Sequence, residues 1–176
     1  MAQVQQLPLT PKISLIFVSV TNLVVLLVGI LTQQGRLPLT EPINYSETAS
    51  QFFSYWMMVA VGLGLVLPLI AWIYWWRKQK IRYLWGLYLA VLVVQILTEQ
   101  LFRAVLVPSV VITIGTIYTA FRIWQLITLQ RLFSPQSSLK VDQKRFQQIL
   151  AWLLLLFWGA NLIFLMTVAW PTILRF

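Results

Sequence analysis

Among the polar side chains that stand inside apolar stretches, Asn22, Gln95, Glu99, Arg103, Arg122, Gln125 and Asn161 are the ones able to do chemistry. Gln95, Glu99 and Arg103 recur every four residues, so a helix would carry them on one face. Thr119, Arg122 and Gln125 follow at intervals of three, with Gly115 one turn away. An ionisable side chain at the centre of a bilayer costs about 3 kcal/mol or more, which makes each a functional candidate. A guanidinium in that position could hold an anionic or carbonyl-bearing ligand, or lie along a transport path. Acid–base catalysis fits less well. Glu99 is the one carboxylate inside an apolar stretch, since Glu41, Glu47 and Asp142 fall in polar segments, so no carboxylate pair can form within the membrane. The chain has neither histidine nor cysteine. The commonest general base, the usual haem ligand and thiolate metal sites are thereby removed, and we expect no catalytic residues, metal or cofactor.

Helical rise sets the heights of these groups. Counted from Tyr83, Gln95 lies about 18 Å along the helix, Glu99 about 24 Å and Arg103 about 30 Å. Arg103 can therefore snorkel to water, with Glu99 as its neighbour one turn below. Counted from Arg131, Arg122 lies about 14 Å along, near a bilayer midplane. Its accessible partners are Gln95 at similar height, Asn22 or Glu99. The layer is either a ligand or transport site centred on Arg122, or a buried network that fixes how the helices pack.

The elements that must position these residues are apolar and long. Of 176 residues, 60% are hydrophobic and 10% charged, with a mean hydropathy of +0.81. That is too few charges to cover a water-facing surface. Apolar runs predict helical spans at about 13–32, 52–76, 83–105, 109–129 and 146–170, each near the length that crosses about 30 Å of hydrocarbon. The fold class is therefore all-α: a single polytopic transmembrane domain of five helices, with no visible internal repeat. The first run is too long for a signal-peptide core and lacks a cleavage pattern, so we read it as retained. The outer loop, 33–51, contains Gly35, Pro38 and Pro42, and an Asn44-Tyr45-Ser46 glycosylation triplet. Thr48 and Gln51 have capping-box spacing and predict a helix start near Ala49. Pro68 predicts a kink and Pro171 a helix end. Ala60 with Gly64, Gly86 with Ala90, and Gly115 with Thr119 are spaced for close helix contact.

Charge predicts the orientation. With the amino terminus inside, the cytoplasmic side holds Lys12, Arg77, Lys78, Lys80, Arg82, Arg131, Lys140, Lys144 and Arg145, against Arg36, Arg103 and Arg175 outside. The positive-inside rule thus favours a cytoplasmic amino terminus and a carboxyl terminus on the opposite side. Loops 77–82 and 130–145 are then cytoplasmic. The stretch WWRKQKIRYLW and the net charge of +9 could suit nucleic acid in a soluble domain. At the end of a membrane hairpin the rings belong to the spans and are not free to stack on bases, so no nucleic acid is expected. Trp75, Trp76, Arg77, Lys78, Lys80, Arg82, Tyr83 and Trp85 instead read as a clamp on anionic lipid headgroups, with Trp72 and Tyr74 at the same depth.

Two family resemblances follow from these residues. TEQLFRAVL, Thr98 to Leu106, resembles the E-E-x-x-x-R segment of CPBP-type intramembrane proteases: Glu99 and Arg103 match, and Thr98 stands where the first glutamate would be. That resemblance implies a water-activating glutamate pair and later histidines, which this chain lacks, and hence a degenerate relative. Five spans with nine tryptophans are also similar to the TspO group of tetrapyrrole- and sterol-binding membrane proteins, with no residues carried over.

The expected function is non-enzymatic: a membrane subunit, assembly factor or hydrophobic-ligand-binding protein beside other membrane proteins, in a bacterial-type plasma membrane or a thylakoid. A small transporter or channel component using the Arg122 layer is the alternative.

Overall fold

The computed structural model describes residues 9–39, 47–132 and 141–174. The glycosylation triplet, Glu41, Lys140 and Arg175 lie outside them. Among the described residues there are five helices long and apolar enough to cross a membrane.

Helix α1 is Pro11–Gln33. Thr10 caps it, its hydroxyl accepting from the Ile13 amide at 3.3 Å, and Pro11 occupies the first turn, where its missing N–H costs nothing. Gly35 ends it with φ 68°: the Gly35 amide donates to the Thr32 carbonyl and the Arg36 amide to the Leu31 carbonyl, both at 2.9 Å.

Helix α2 runs unbroken through Glu47–Val61, a π-helical stretch Gly62–Val66, and Leu67–Tyr74. Thr48 is already inside it and so is not its cap; Glu47 in the first turn complements the helix dipole instead. The π stretch ends two residues before Pro68. Proline cannot donate to the carbonyl four residues back, that of Gly64. The Tyr88 hydroxyl satisfies that carbonyl from the next helix, at 3.0 Å.

Helix α3, Gln79–Val105, begins four residues before the expected position 83, so Lys80 and Arg82 ride on its first turn. Helix α4 is Val110–Leu132. Helix α5 comprises Val141–Phe164, a π stretch Leu165–Ala169, and Trp170–Ile173. Pro171 therefore does not end it at Trp170. As with Pro68, a π stretch just upstream shifts the hydrogen-bond register and absorbs the missing donor. Lys144 and Arg145, expected in a loop, are likewise on this helix.

The lower half of α2 packs on α3, α3 and α5 flank α4, and α1 lies across α3 and α4. One core cluster, at the end holding the α2–α3 turn, joins Ala71, Trp75, Leu84, Trp85, Leu126, Leu154 and Trp158. A second brings Val25 of α1 against Val91, Val110, Ile114 and Tyr118. A third, with an antiparallel bridge between Leu39 and Leu174, closes the far end. Small residues let these helices approach: Gly29 meets Leu106, Gly64 meets Trp158, Gly86 meets Trp72 and Gly115 meets Leu165. Ala90 faces outward.

Candidate functional site

Arg122 of α4 is completely buried. Its Nη2 donates to Gln95 Oε1 on α3, and Gln95 Nε2 donates in turn to Glu99 Oε1 one turn along. Glu99 thus reaches the guanidinium through an amide relay. A hydrogen bond to a charged group contributes about 1.5–3 kcal/mol, which offsets part of the cost of burying the cation.

The remaining compensation is aromatic. The Arg122 guanidinium carbon lies 4.4 Å from the Trp158 ring centre on α5 and 5.8 Å from that of Tyr88 on α3. A desolvated cation–π contact contributes about 2 kcal/mol. The same two rings are bonded to each other: Trp158 Nε1 donates to the Tyr88 hydroxyl at 2.8 Å, and that hydroxyl donates to Gly64. One continuous network therefore links all four of α2, α3, α4 and α5, from Glu99 through Gln95, Arg122, Trp158 and Tyr88 to the backbone at the proline of α2. Arg122 Nε and Nη1 have no hydrogen-bond partner among the described residues. Gln125, one turn along α4, is 1% exposed, and neither amide atom has one.

No family model, curated protein or solved structure matches this chain. The geometry alone must carry the functional reading.

The other sequence-selected residues are distributed elsewhere. Asn161 forms a second junction, donating to the Thr119 hydroxyl at 3.1 Å and accepting from Trp56 Nε1 at 2.8 Å, so that α2, α4 and α5 are tied. Asn22 is half-buried on α1, and its Oδ1 bonds to nothing described. Arg103 is not held by Glu99; it is exposed and lines a surface hollow against α2.

The basic turn also divides. Arg82 stacks 4.7 Å from the Trp76 ring centre and donates to the Trp76 carbonyl at 3.1 Å, locking the turn, while Arg77, Lys78, Lys80 and Tyr83 are exposed. Trp75 and Trp85 depart from the expected lipid clamp. Both rings are buried in the bundle, and Trp85 Nε1 donates to Gln147 Oε1 at 2.8 Å. Trp170 Nε1 likewise donates to the Thr116 hydroxyl at 2.9 Å. The indole donors of Trp56, Trp85, Trp158 and Trp170 thus fasten one helix to another, whereas the buried Nε1 of Trp75 has no hydrogen-bond partner among the described residues.

Tyr88 and Trp158 were not singled out by sequence. A signal existed for both. Tyr88 lies seven residues before Gln95 and so shares its face. Trp158 precedes Trp170 by twelve residues. That is about 18 Å below Trp170, too deep for an interfacial ring.

Proposed function

We propose that this chain is an integral membrane protein forming one transmembrane domain, with its amino terminus cytoplasmic and its carboxyl terminus opposite. It acts without catalysis, as a subunit or assembly factor for other membrane proteins or as a holder of hydrophobic ligands. Bacterial-type plasma membranes and thylakoids both fit. Anionic headgroups meet the end of the bundle that carries Lys12, Arg77, Lys78, Lys80, Arg82, Lys144 and Arg145. Support for a common basic end comes from Leu9, packed with Trp75 and Ile81, and from Tyr74, whose ring lies 6.0 Å from that of Phe146.

The observation that carries the reading is how the interior polar groups are used. Arg122, Gln95, Tyr88, Trp158, Asn161, Trp56 and Thr119 are all turned to side chains or backbone of neighbouring helices. Meanwhile the outer faces stay apolar, with Leu15 and Leu23 of α1 and Ile149 and Leu156 of α5 each 67% exposed. A protein built this way meets its surroundings through hydrophobic surface. Co-purification from native membranes in mild detergent, after brief cross-linking, tests this: a stoichiometric membrane-protein partner is expected. A chain that migrates alone under every mild condition would overturn the subunit reading.

A second reading, a small transporter or channel component, has its own support in the unpartnered Nε and Nη1 of Arg122 and the unpartnered amide of Gln125. Proteoliposome flux that disappears in Gln125→Leu with folding intact would favour it.

A further inference from the structure

Arg103 belongs to no network described above, yet it stands beside an open groove of about 900 Å3 lined by Phe53, Ser54, Met57, Met58, Val61, Gly62 and Val66 of α2. The groove exists because two neighbouring helices part. The lower half of α2 is pinned to α3, where Tyr88 holds Gly64 and Trp72 lies against Gly86. Its upper half leans to α5: the Trp56 and Phe157 ring centres are 5.4 Å apart, and those of Phe53 and Phe164 5.6 Å. The upper half of α3 leans the other way, to α1, with Leu106 on Gly29 and the Val105 carbonyl accepting from Gln33 at 3.4 Å.

We propose that this groove is a binding site for an anionic membrane phospholipid, its phosphate on Arg103 and an acyl chain lying down α2 from Phe53 to Val66. Three observations converge on that occupant. First, charge and polarity are arranged end to end. Arg103 sits two residues from the end of α3, near Phe53 and Ser54, while the wall running down from Ser54 is apolar. Second, the length suits an acyl chain. The thirteen-residue advance from Phe53 to Val66 is about 20 Å of helix, enough for a chain that reaches through one leaflet of a hydrocarbon core about 30 Å thick. Third, the wall is adaptable and hollowed. Met57 and Met58 are 61% and 64% exposed, and methionine repacks readily around a flexible partner. A Cβ on Gly62 would meet nothing within 4 Å.

This goes beyond the partner reading and does not depend on it, because it is measured on the isolated full-length chain. The experiment is native mass spectrometry of the detergent-purified protein, titrated with phosphatidylglycerol and with phosphatidylcholine of identical acyl chains. Phosphatidylglycerol is expected to bind the wild type more tightly. Arg103→Gln should weaken it about tenfold, to the phosphatidylcholine level, the size that one charge-assisted contact supplies, and Arg103→Lys should restore part of it. Gly62→Phe, whose ring would project into the groove, should reduce binding of both lipids; Met58→Trp fills the same space from an exposed position should the glycine variant not fold. Equal binding of the two lipids by the wild type would overturn the proposal. So would undiminished phosphatidylglycerol binding in both Arg103→Gln and the groove-filling variant, or inorganic phosphate competing as well as intact lipid. A photocrosslinker at Met58 that captures a protein helix in native membranes, and no lipid, would also refute it.

Discussion

Gly64 and Trp158 interlock: a Cβ on Gly64 would lie 2.6 Å from Cζ2 of the Trp158 ring. The indole can cover Arg122 only because α2 presents bare backbone at that point. The same residue's carbonyl, freed by Pro68, receives the Tyr88 hydroxyl that Trp158 also bonds. Helix irregularity and cation burial are thus one arrangement.

Gly64→Ala should consequently push Trp158 off the guanidinium and destabilise the bundle by about 1–3 kcal/mol, the usual range for overpacking. Gly62→Ala, two residues away in open space, should change stability by less than about 0.5 kcal/mol. Unfolding in mixed detergent–SDS micelles measures both, and equal effects would contradict the interlock.

Arg122→Leu leaves the buried Gln95 and the half-buried Glu99 without their cationic partner. A loss of about 3–5 kcal/mol is expected, as for other broken buried charge pairs. Replacing Gln95, Glu99 and Arg122 together by leucine should recover most of it, since an apolar core has no charge to compensate. Additive losses across this cycle would mean that the three residues do not act as a unit.

Trp85→Phe removes the donor to Gln147 and should cost about 1–3 kcal/mol, the penalty for an orphaned buried acceptor. Trp76→Phe alters an exposed ring and should stay within about 0.5 kcal/mol. Parallel thermal melts in detergent distinguish a helix fastener from a surface aromatic.

Because the natural chain contains no cysteine, single cysteines report topology without background. Lys78→Cys and Asp142→Cys should react with impermeant maleimide only after the cytoplasmic face is opened, and Arg36→Cys in intact cells. Labelling of Lys78→Cys and Asp142→Cys from opposite sides would sink the five-span topology.

The Arg122 layer was legible only in part. Its heights could be counted along regular helices, which brings Gln95 level with Arg122, and the two are bonded. Arg103 met the same criteria of polarity and spacing, and Asn22 that of polarity, yet both belong to other surroundings. Spacing gives the face of a helix, while the neighbour of that face depends on how whole helices lean. The aromatic half of the site was hidden for another reason. Tyr88 and Trp158 blend into an apolar background in which every face looks suitable for burial.

Length and hydropathy by themselves determined that the described chain is a set of five long apolar helices, because helical hydrogen bonds are local and apolar runs count out their own span. Only the tertiary structure decided which side of each helix turns inward. Trp75 and Trp76 are adjacent and identical in type, yet one is 2% exposed and the other 56%. In water, an amphipathic pattern would have separated them. In a helix apolar all round, lipid and protein interior are equally good solvents for a side chain. The choice then falls to packing at glycines and to the few hydrogen bonds that need a partner.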